Sequence, residues 1–288
     1  MAAQTLTRIG HLFERSRKSG KKAFIAYVTA GDPHPDQTTA IVLALERGGA
    51  DLIELGVPFS DPIADGPVIQ RASDRALRAG TNLNKLLESV REIRRVSQIP
   101  LLLFSYMNPL LRYGFERLAR DASQAGIDGV LLTDLSVEEA DEPVRRLREQ
   151  GLDTVFLVAP TSSDRRLDLV SRHSSGFIYL VSRTGVTGEQ ASVSDAVALL
   201  IERTRKHTSL PLAVGFGIST PRQVAEVAQL ADAVVVGSAI VKTIEKNAAL
   251  PGITPQTLTA EVERFVRELT APLQRDDAAI SGAAKGSA

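Results

Sequence analysis

Glu54, Asp61 and Asp65 fall within one short stretch, residues 51–67, which reads Asp-Leu-Ile-Glu-Leu-Gly-Val-Pro-Phe-Ser-Asp-Pro-Ile-Ala-Asp-Gly-Pro. Glu54 interrupts an apolar run where a hydrophobic residue is expected. An unpaired charge there costs several kcal/mol, a large part of a domain's net stability. Such a carboxyl is either held by N–H groups or a lysine, or it is desolvated for chemistry. Burial raises its pKa towards the range of a general acid or base. Side chains alternate along a strand, so Leu52, Glu54 and Gly56 share one face, and the small Gly56 leaves room beside the carboxyl. Asp61 and Asp65 lie in a loop whose course is restricted by Pro58, Pro62 and Pro67. For either aspartate, charge stabilisation competes with a plain turn or cap. Asp65-Gly66-Pro67 could cap the helical pattern at 68–78.

A second set of residues suits an anion. One apolar run ends in Gly215-Phe216-Gly217-Ile218-Ser219, and another ends in Val236-Gly237-Ser238-Ala239 before a short helical segment at 240–245. Glycines let the backbone approach an anion closely, and the free N–H groups of a helix start attract it. Plain turns are the competing reading. The spacing is not G-x-G-x-x-G, so no dinucleotide is implied. A third segment, 182–192, is long, polar and without periodicity, and reads as a lid over a site or as a simple connection.

The elements that must position these groups are legible as eight short apolar runs: 23–29, 52–57, 101–107, 129–133, 154–158, 177–181, 212–216 and 233–236. Each is near-continuously hydrophobic, as parallel strands covered on both faces are. Helical patterns lie between them at 38–47, 84–96, 115–125, 137–150, 195–207 and 221–230. Eight strand–helix units predict an α/β fold, a (β/α)8 TIM barrel, with a doubly wound sheet as the alternative. An extra N-terminal helix at 6–17 is expected to cover the barrel's N-terminal end, and a last helix is expected at 254–272. Residues 1–272 are expected to form one barrel domain and 273–288, small and polar, a disordered tail. In such barrels chemistry sits on the loops at the C-terminal ends of the strands, and phosphate binds after the last two strands beside a short extra helix.

Composition removes other classes. The chain has 288 residues, 43% of them hydrophobic, enough for one large barrel core. Lys plus Arg (34) equals Asp plus Glu (34), so no overall basic field would hold nucleic acid. There is no cysteine, and His11, His34, His173 and His207 lack ligand spacing, so no metal site is expected. No apolar run approaches the roughly 20 residues of a membrane span, and no signal-peptide core is present, so a cytoplasmic location is expected.

Together these segments closely resemble the α subunit of tryptophan synthase, from about residue 6 to residue 270. The most specific matches are Thr29-Ala30-Gly31-Asp32-Pro33, the run 54–67, Tyr106-Met107-Asn108-Pro109, the run 177–188 and Gly215-Phe216-Gly217-Ile218-Ser219. The resemblance implies a carbon–carbon lyase that cleaves indole-3-glycerol phosphate to indole and glyceraldehyde 3-phosphate by a retro-aldol reaction. It implies Glu54 as the acid–base residue and Asp65 as the acceptor of the indole N–H. It places Tyr27, Phe104, Leu131 and Phe216 around the indole, Tyr179 beside the glycerol phosphate, and Thr187 in a lid that bonds to Asp65. Gly188, Gly217, Gly237 and Ser238 would bind the phosphate. Pro58, Asp61 and Asn108 fall in loops that meet a β subunit in an αββα complex. No cofactor is implied in this chain; pyridoxal phosphate would belong to the β subunit, which condenses the indole with L-serine to L-tryptophan. Two other functions share parts of the pattern. An epimerase or isomerase of phosphosugars normally needs metal-binding histidines or another carboxylate arrangement. A purely activating subunit would not need Glu54 and Asp65.

Overall fold

The structure, a computed structural model, describes residues 6–181, 195–215 and 217–274. Its centre is a parallel sheet of β1 (Ala23–Thr29), β2 (Leu52–Gly56), β3 (Leu101–Ser105), β4 (Gly129–Leu132), β5 (Asp153–Val155), β6 (Leu157–Val158), β7 (Ile178–Val181), β8 (Leu212–Gly215) and β9 (Ala233–Val236). Their order is β5-β4-β3-β2-β1-β9-β8-β7-β6. β5 and β6 are two halves of one strand, broken at Phe156. The first half pairs with β4 and the second with β7, so the two ends of the sheet meet at that residue. The nine segments therefore make the eight staves of a (β/α)8 barrel, as the sequence predicts, and not a doubly wound sheet.

Around it run α1 (Arg8–Ser19), α2 (Thr38–Arg47), α3 (Pro67–Arg78), α4 (Leu83–Arg94), α5 (Met107–Tyr113), α6 (Phe115–Ala125), α7 (Asp141–Glu149), α8 (Asp164–His173), α9 (Asp195–Arg205), α10 (Pro221–Ala228), α11 (Ser238–Ala248) and α12 (Pro255–Thr270). Outward-facing strand residues such as Phe24, Ile53, Leu55 and Leu103 pack against apolar stripes of these helices, including Ile41, Leu45, Leu86 and Val90. Inward-facing Ile25, Leu52, Leu102, Leu131, Val155 and Phe177 fill the lower half of the barrel.

The expected N-terminal helix closes that lower end. Thr7 caps α1 by accepting the Gly10 N–H at 3.2 Å, and Gly20 ends it at φ 73°. Ile9, Leu12 and Phe13 of α1 are buried, with Phe13 packed on Phe177 at 5.6 Å between ring centroids. Asp128, 4% exposed, ties this end together by accepting from Arg8 at 2.9 Å, Arg94 at 2.8 Å and the Leu101 N–H at 2.8 Å.

Several boundaries differ from those expected. The strand expected over 101–107 ends at Ser105, because the Met107 N–H bonds to the Asp134 carboxylate at 2.7 Å and a helix starts there. The helix expected over 137–150 divides into a 3-10 turn, Val137–Glu139, and α7. Pro143 has no N–H and fits only a first turn, so α7 must begin close before it. The short helix expected over 240–245 extends to Ser238–Ala248. A 3-10 turn at Ala271–Leu273 follows α12, and residues 275–288, most of the expected tail, lie outside the described residues.

Candidate active site

Register explains where Glu54 points. Its Cα pairs with Tyr27 on β1 and Leu102 on β3, and all three belong to the inward-facing set. Leu52, one turn of the pleat below, is sealed in the filled lower half; Gly56, one above, faces the open end. Glu54 is 1% exposed, and its Oε1 has no hydrogen-bond partner among the described residues. Desolvation pushes its carboxyl up to about 8. The structural alternative needed a lysine or N–H groups holding the carboxylate, and that Oε1 is bare of both. A carboxyl held up in this way can give and take a proton near neutral pH.

Two tyrosines flank it. Tyr27 and Tyr179 lie on β1 and β7, and burial holds both phenols above their usual range, helped by the charges of Asp65 and then Glu54 at Tyr27 and of Glu54 at Tyr179. Each occupies a slot made by a glycine on the next strand. A Cβ on Gly56 would meet the Tyr27 hydroxyl at 2.2 Å, and one on Gly215 would meet the Tyr179 hydroxyl at 2.3 Å. The Tyr27 hydroxyl lies 3.4 Å from the Thr29 hydroxyl, and its ring meets Phe104 edge-on at 5.2 Å. Phe104 pairs in turn with the fully buried Leu131 on β4. The surroundings of Glu54 are thus aromatic and aliphatic, of a kind suited to a flat apolar ring. Phe216, Thr187 and Gly188 lie outside the described residues, as does the segment 182–192.

Asp65 approaches from the loop after β2. Gly66 occupies the N-cap position of α3, with Pro67 at its first turn, so the helix does not start on the Asp65 side chain. The Asp65 carboxylate instead lies near the Tyr106 hydroxyl, which accepts the Ala64 N–H at 3.0 Å. Partial burial pushes Asp65 up to about 6, and the Tyr106 hydrogen bond opposes that by favouring the charged form. Phe59 packs on the Tyr106 ring at 5.3 Å and fixes it. Tyr106 is a neighbour of Asp65 to which the sequence reading gives no role, although it falls in the matched segment Tyr106-Met107-Asn108-Pro109. It lies inside the run 101–107 expected as a strand, whereas the structure places it just past the end of β3.

On the far side of Tyr27, α11 opens at Gly237 and Ser238, its first N–H groups unclaimed by any side-chain cap. Gly237 lets Tyr27 pack close, since an added Cβ would lie 3.3 Å from the Tyr27 Cβ. Gly217 takes φ +76°, a left-handed conformation that glycine adopts freely, with open space around its Cα. Both turns face the C-terminal end of the barrel and can present N–H groups to an anion. Among the described residues no group of three or more His, Cys, Asp or Glu is placed to hold a metal ion.

The loop residues at this rim differ in exposure. Pro58 is buried, whereas Asp61 and Asn108 are exposed, Asp61 accepting the Ser60 hydroxyl at 2.6 Å. Ile63 beside them is 88% exposed and Leu111, on the Asn108 face of α5, is 60% exposed. A cavity of about 640 Å³ lies at the opposite end of the barrel against α1, lined by Phe13, Arg17, Lys22 and Gly176 among others, and contains none of the residues above.

The family described as Tryptophan synthase alpha chain matches residues 13–271. A tryptophan synthase alpha chain of Solibacter usitatus is 61% identical over 264 residues, covering 92% of this chain and 97% of the relative. One from Geobacter sp. strain M21 is 53% identical over 241 residues, covering 84% of this chain and 90% of the relative. Among solved structures, tryptophan synthase subunit alpha from Legionella pneumophila superposes with a TM-score of 0.86 at 36% identity, over 93% of this chain and 99% of that one. A tryptophan synthase structure from Mycobacterium tuberculosis gives 0.83 at 35% identity, over 94% and 99%.

Proposed function

The chain belongs to the tryptophan synthase alpha chain family, and we propose from that premise how its residues carry out the lyase reaction, retro-aldol cleavage of indole-3-glycerol phosphate to indole and glyceraldehyde 3-phosphate. The observation that carries the proposal is the buried carboxyl of Glu54 in β2, whose Oε1 has no hydrogen-bond partner.

Glu54 begins as the acid and gives its proton to indole C3. The resulting indolenine cation is stabilised at its N–H by the carboxylate of Asp65, which Tyr106 orients. Glu54, now ionised, removes the proton of the glycerol hydroxyl next to the scissile bond. The O–H electrons form the aldehyde carbonyl, the C–C bond breaks, and its electrons restore the aromatic ring. Indole leaves with the delivered proton at C3, and Glu54 is protonated again. The two carboxylates divide the work because one must change protonation state while the other serves best ionised.

The aromatic walls of Tyr27 and Phe104 with Leu131 take the indole ring, completed by Phe216. Tyr179 lies along the glycerol phosphate, and the N–H groups of Gly188, Gly217, Gly237 and Ser238 hold its phosphate, with Thr187 closing onto Asp65. These assignments follow the family resemblance, and the open turns at Gly217 and Gly237 support them. A β subunit carrying pyridoxal phosphate is the partner, in an αββα assembly within the cytoplasm. Asp61 and Asn108 offer it polar contacts, with Ile63 and Leu111 adding exposed apolar surface, while buried Pro58 shapes the loop. No described helix is long and apolar enough to cross a membrane.

Indole release from indole-3-glycerol phosphate, measured with and without a β subunit, tests the assignment. Glu54→Gln is expected to lower it by roughly 10²–10⁴-fold while phosphate-ligand binding persists. Unimpaired turnover in that variant would sink the proposal.

A further inference from the structure

Two helices that start on opposite sides of the site are tied together along their length. α3 begins at Gly66, directly after Asp65, and α11 begins at Gly237 and Ser238. Ala72 and Ala76 of α3 and Val241 of α11 are fully buried. Such small contacts let helices pack closely. Arg71 and Arg75, one turn apart on α3, both reach Glu245 of α11. Arg71 donates Nε and Nη2 to its two carboxylate oxygens at 2.7 and 2.8 Å, and Arg75 donates Nη1 at 2.7 Å. The rest of the Arg75 fork binds Asp32 in the loop after β1, with Nε and Nη2 at 2.8 and 2.9 Å from its two oxygens.

This is more than an exposed surface pair, which contributes little. Asp32 is 2% exposed, and both of its oxygens are engaged by Arg75. The arginine hydrogen bonds, Arg71 first and then Arg75, hold the Glu245 carboxyl down to about 2. Burial pushes the Asp32 carboxyl up, and the hydrogen bonds and charge of Arg75 oppose that. The position of the network is also telling. At 1.5 Å per residue, Arg75 lies about 14 Å along α3 from Gly66, and Glu245 lies about 12 Å along α11 from Gly237. The ion cluster pins both helices at similar distances from their active-site ends, with the loop of Asp32 as the fixed point on the barrel.

The geometry points to a coupling role: Arg75 and Glu245 fix the separation between the phosphate-binding end of α11 and the Asp65 end of α3, so that phosphate held at one sets the carboxylate at the other. This rests on the substrate reading above. Arg75 and Glu245 are positioning residues and touch no reacting atom.

The test compares the full chain, with its β subunit present, against Glu245→Gln and Arg75→Lys. Glu245→Gln keeps the shape and loses the charge; Arg75→Lys keeps the charge and loses the fork. Single-turnover indole release, with enzyme in excess, is measured from indole-3-glycerol phosphate and from indole-3-glycerol lacking the phosphate. Coupling predicts that Glu245→Gln slows the phosphorylated substrate about tenfold, as a modest misplacement does, while the phosphate-free rate is unchanged. Arg75→Lys follows in the same direction. Equal loss on both substrates, or loss on neither, overturns the coupling. If phosphate-free turnover is too slow to see, kcat and KM for the phosphorylated substrate decide. A fall in kcat with KM within about twofold supports coupling, and any other pattern overturns it. A wild-type chain that releases no indole would instead remove the substrate reading itself.

Discussion

Tyr27 and Glu54 are register partners on adjoining strands, and both turn their side chains into the upper half of the barrel. The aromatic ring shields the carboxyl from water and offers it no hydrogen bond, since the Tyr27 hydroxyl is directed to Thr29 at 3.4 Å over Gly56. The acid is thus kept neutral by an apolar neighbour that the same site uses as a wall.

That arrangement has a stability signature. The Glu54 pKa rises from 4.5 to about 8 on folding. The folded state holds this proton more tightly than the unfolded one, so the stabilisation is complete below pH 4.5, declines above it and is lost once pH passes about 8. Glu54→Gln, neutral throughout, is expected to match the wild type near pH 4 and to exceed it by roughly 3–5 kcal/mol at pH 8.5 in denaturant titrations. A difference that does not grow with pH would show that the carboxyl is not desolvated.

The pH dependence of kcat/KM is expected to be bell-shaped. Activity needs Asp65 ionised, which sets an acid limb near 6, and Glu54 protonated at the start, which sets an alkaline limb near 8. Glu54→Asp should move the alkaline limb, and Asp65→Asn should abolish the acid limb and cost about 10²–10³-fold in rate. A profile flat from pH 5 to 9 would contradict both assignments.

Tyr106→Phe removes the hydroxyl that favours ionised Asp65. The expected result is an acid limb displaced to higher pH, with about tenfold lower kcat/KM at pH 6 and a smaller loss at pH 7.5. An unshifted limb would place the hydroxyl's role with the Ala64 N–H alone, the bond it accepts at 3.0 Å.

Gly56→Ala puts a methyl where the Tyr27 hydroxyl and Cζ lie, at 2.2 and 2.6 Å. The ring must tilt into the cavity, so kcat/KM is expected to fall about 10²-fold with a loss of about 1–3 kcal/mol in stability. Full activity in that variant would mean Tyr27 does not border the bound ring.

Asp128→Asn tests the other end of the barrel. It leaves Arg8 and Arg94 without their buried carboxylate, an expected loss of about 3–5 kcal/mol, with kcat/KM unchanged at temperatures where the chain stays folded. A kinetic defect without unfolding would link the two ends of the barrel.

Sequence and structure agree most closely where a residue contradicts its surroundings. Glu54 is legible because a charge inside an apolar run needs an explanation, and the run's period of two assigns its face. The eight staves are legible because strands buried on both sides must be apolar throughout. Tyr106 was not, because its partner Asp65 is brought to it by a proline-rich loop from a different strand. Nor was α5, whose start depends on a bond from the Met107 N–H to Asp134, far along the chain. The clamp of Asp32, Arg75 and Glu245 was invisible for the same reason: Asp32 stands in a matched segment, but its two partners come from distant helices and meet it only once the barrel has closed.

The break at Phe156 bears on how the barrel breathes. Its strand shares three register pairs with β4 and then only two with β7, whereas β1 and β2 share five. The ladder of backbone bonds is thinnest there, so amide hydrogens along β5 and β6 should exchange with deuterium sooner than those of β1 and β2. The seam lies between β4 and β7, away from the β1–β2 ladder that carries Tyr27 and Glu54. Exchange along this line is expected to leave the pairing of Tyr27 with Glu54 intact.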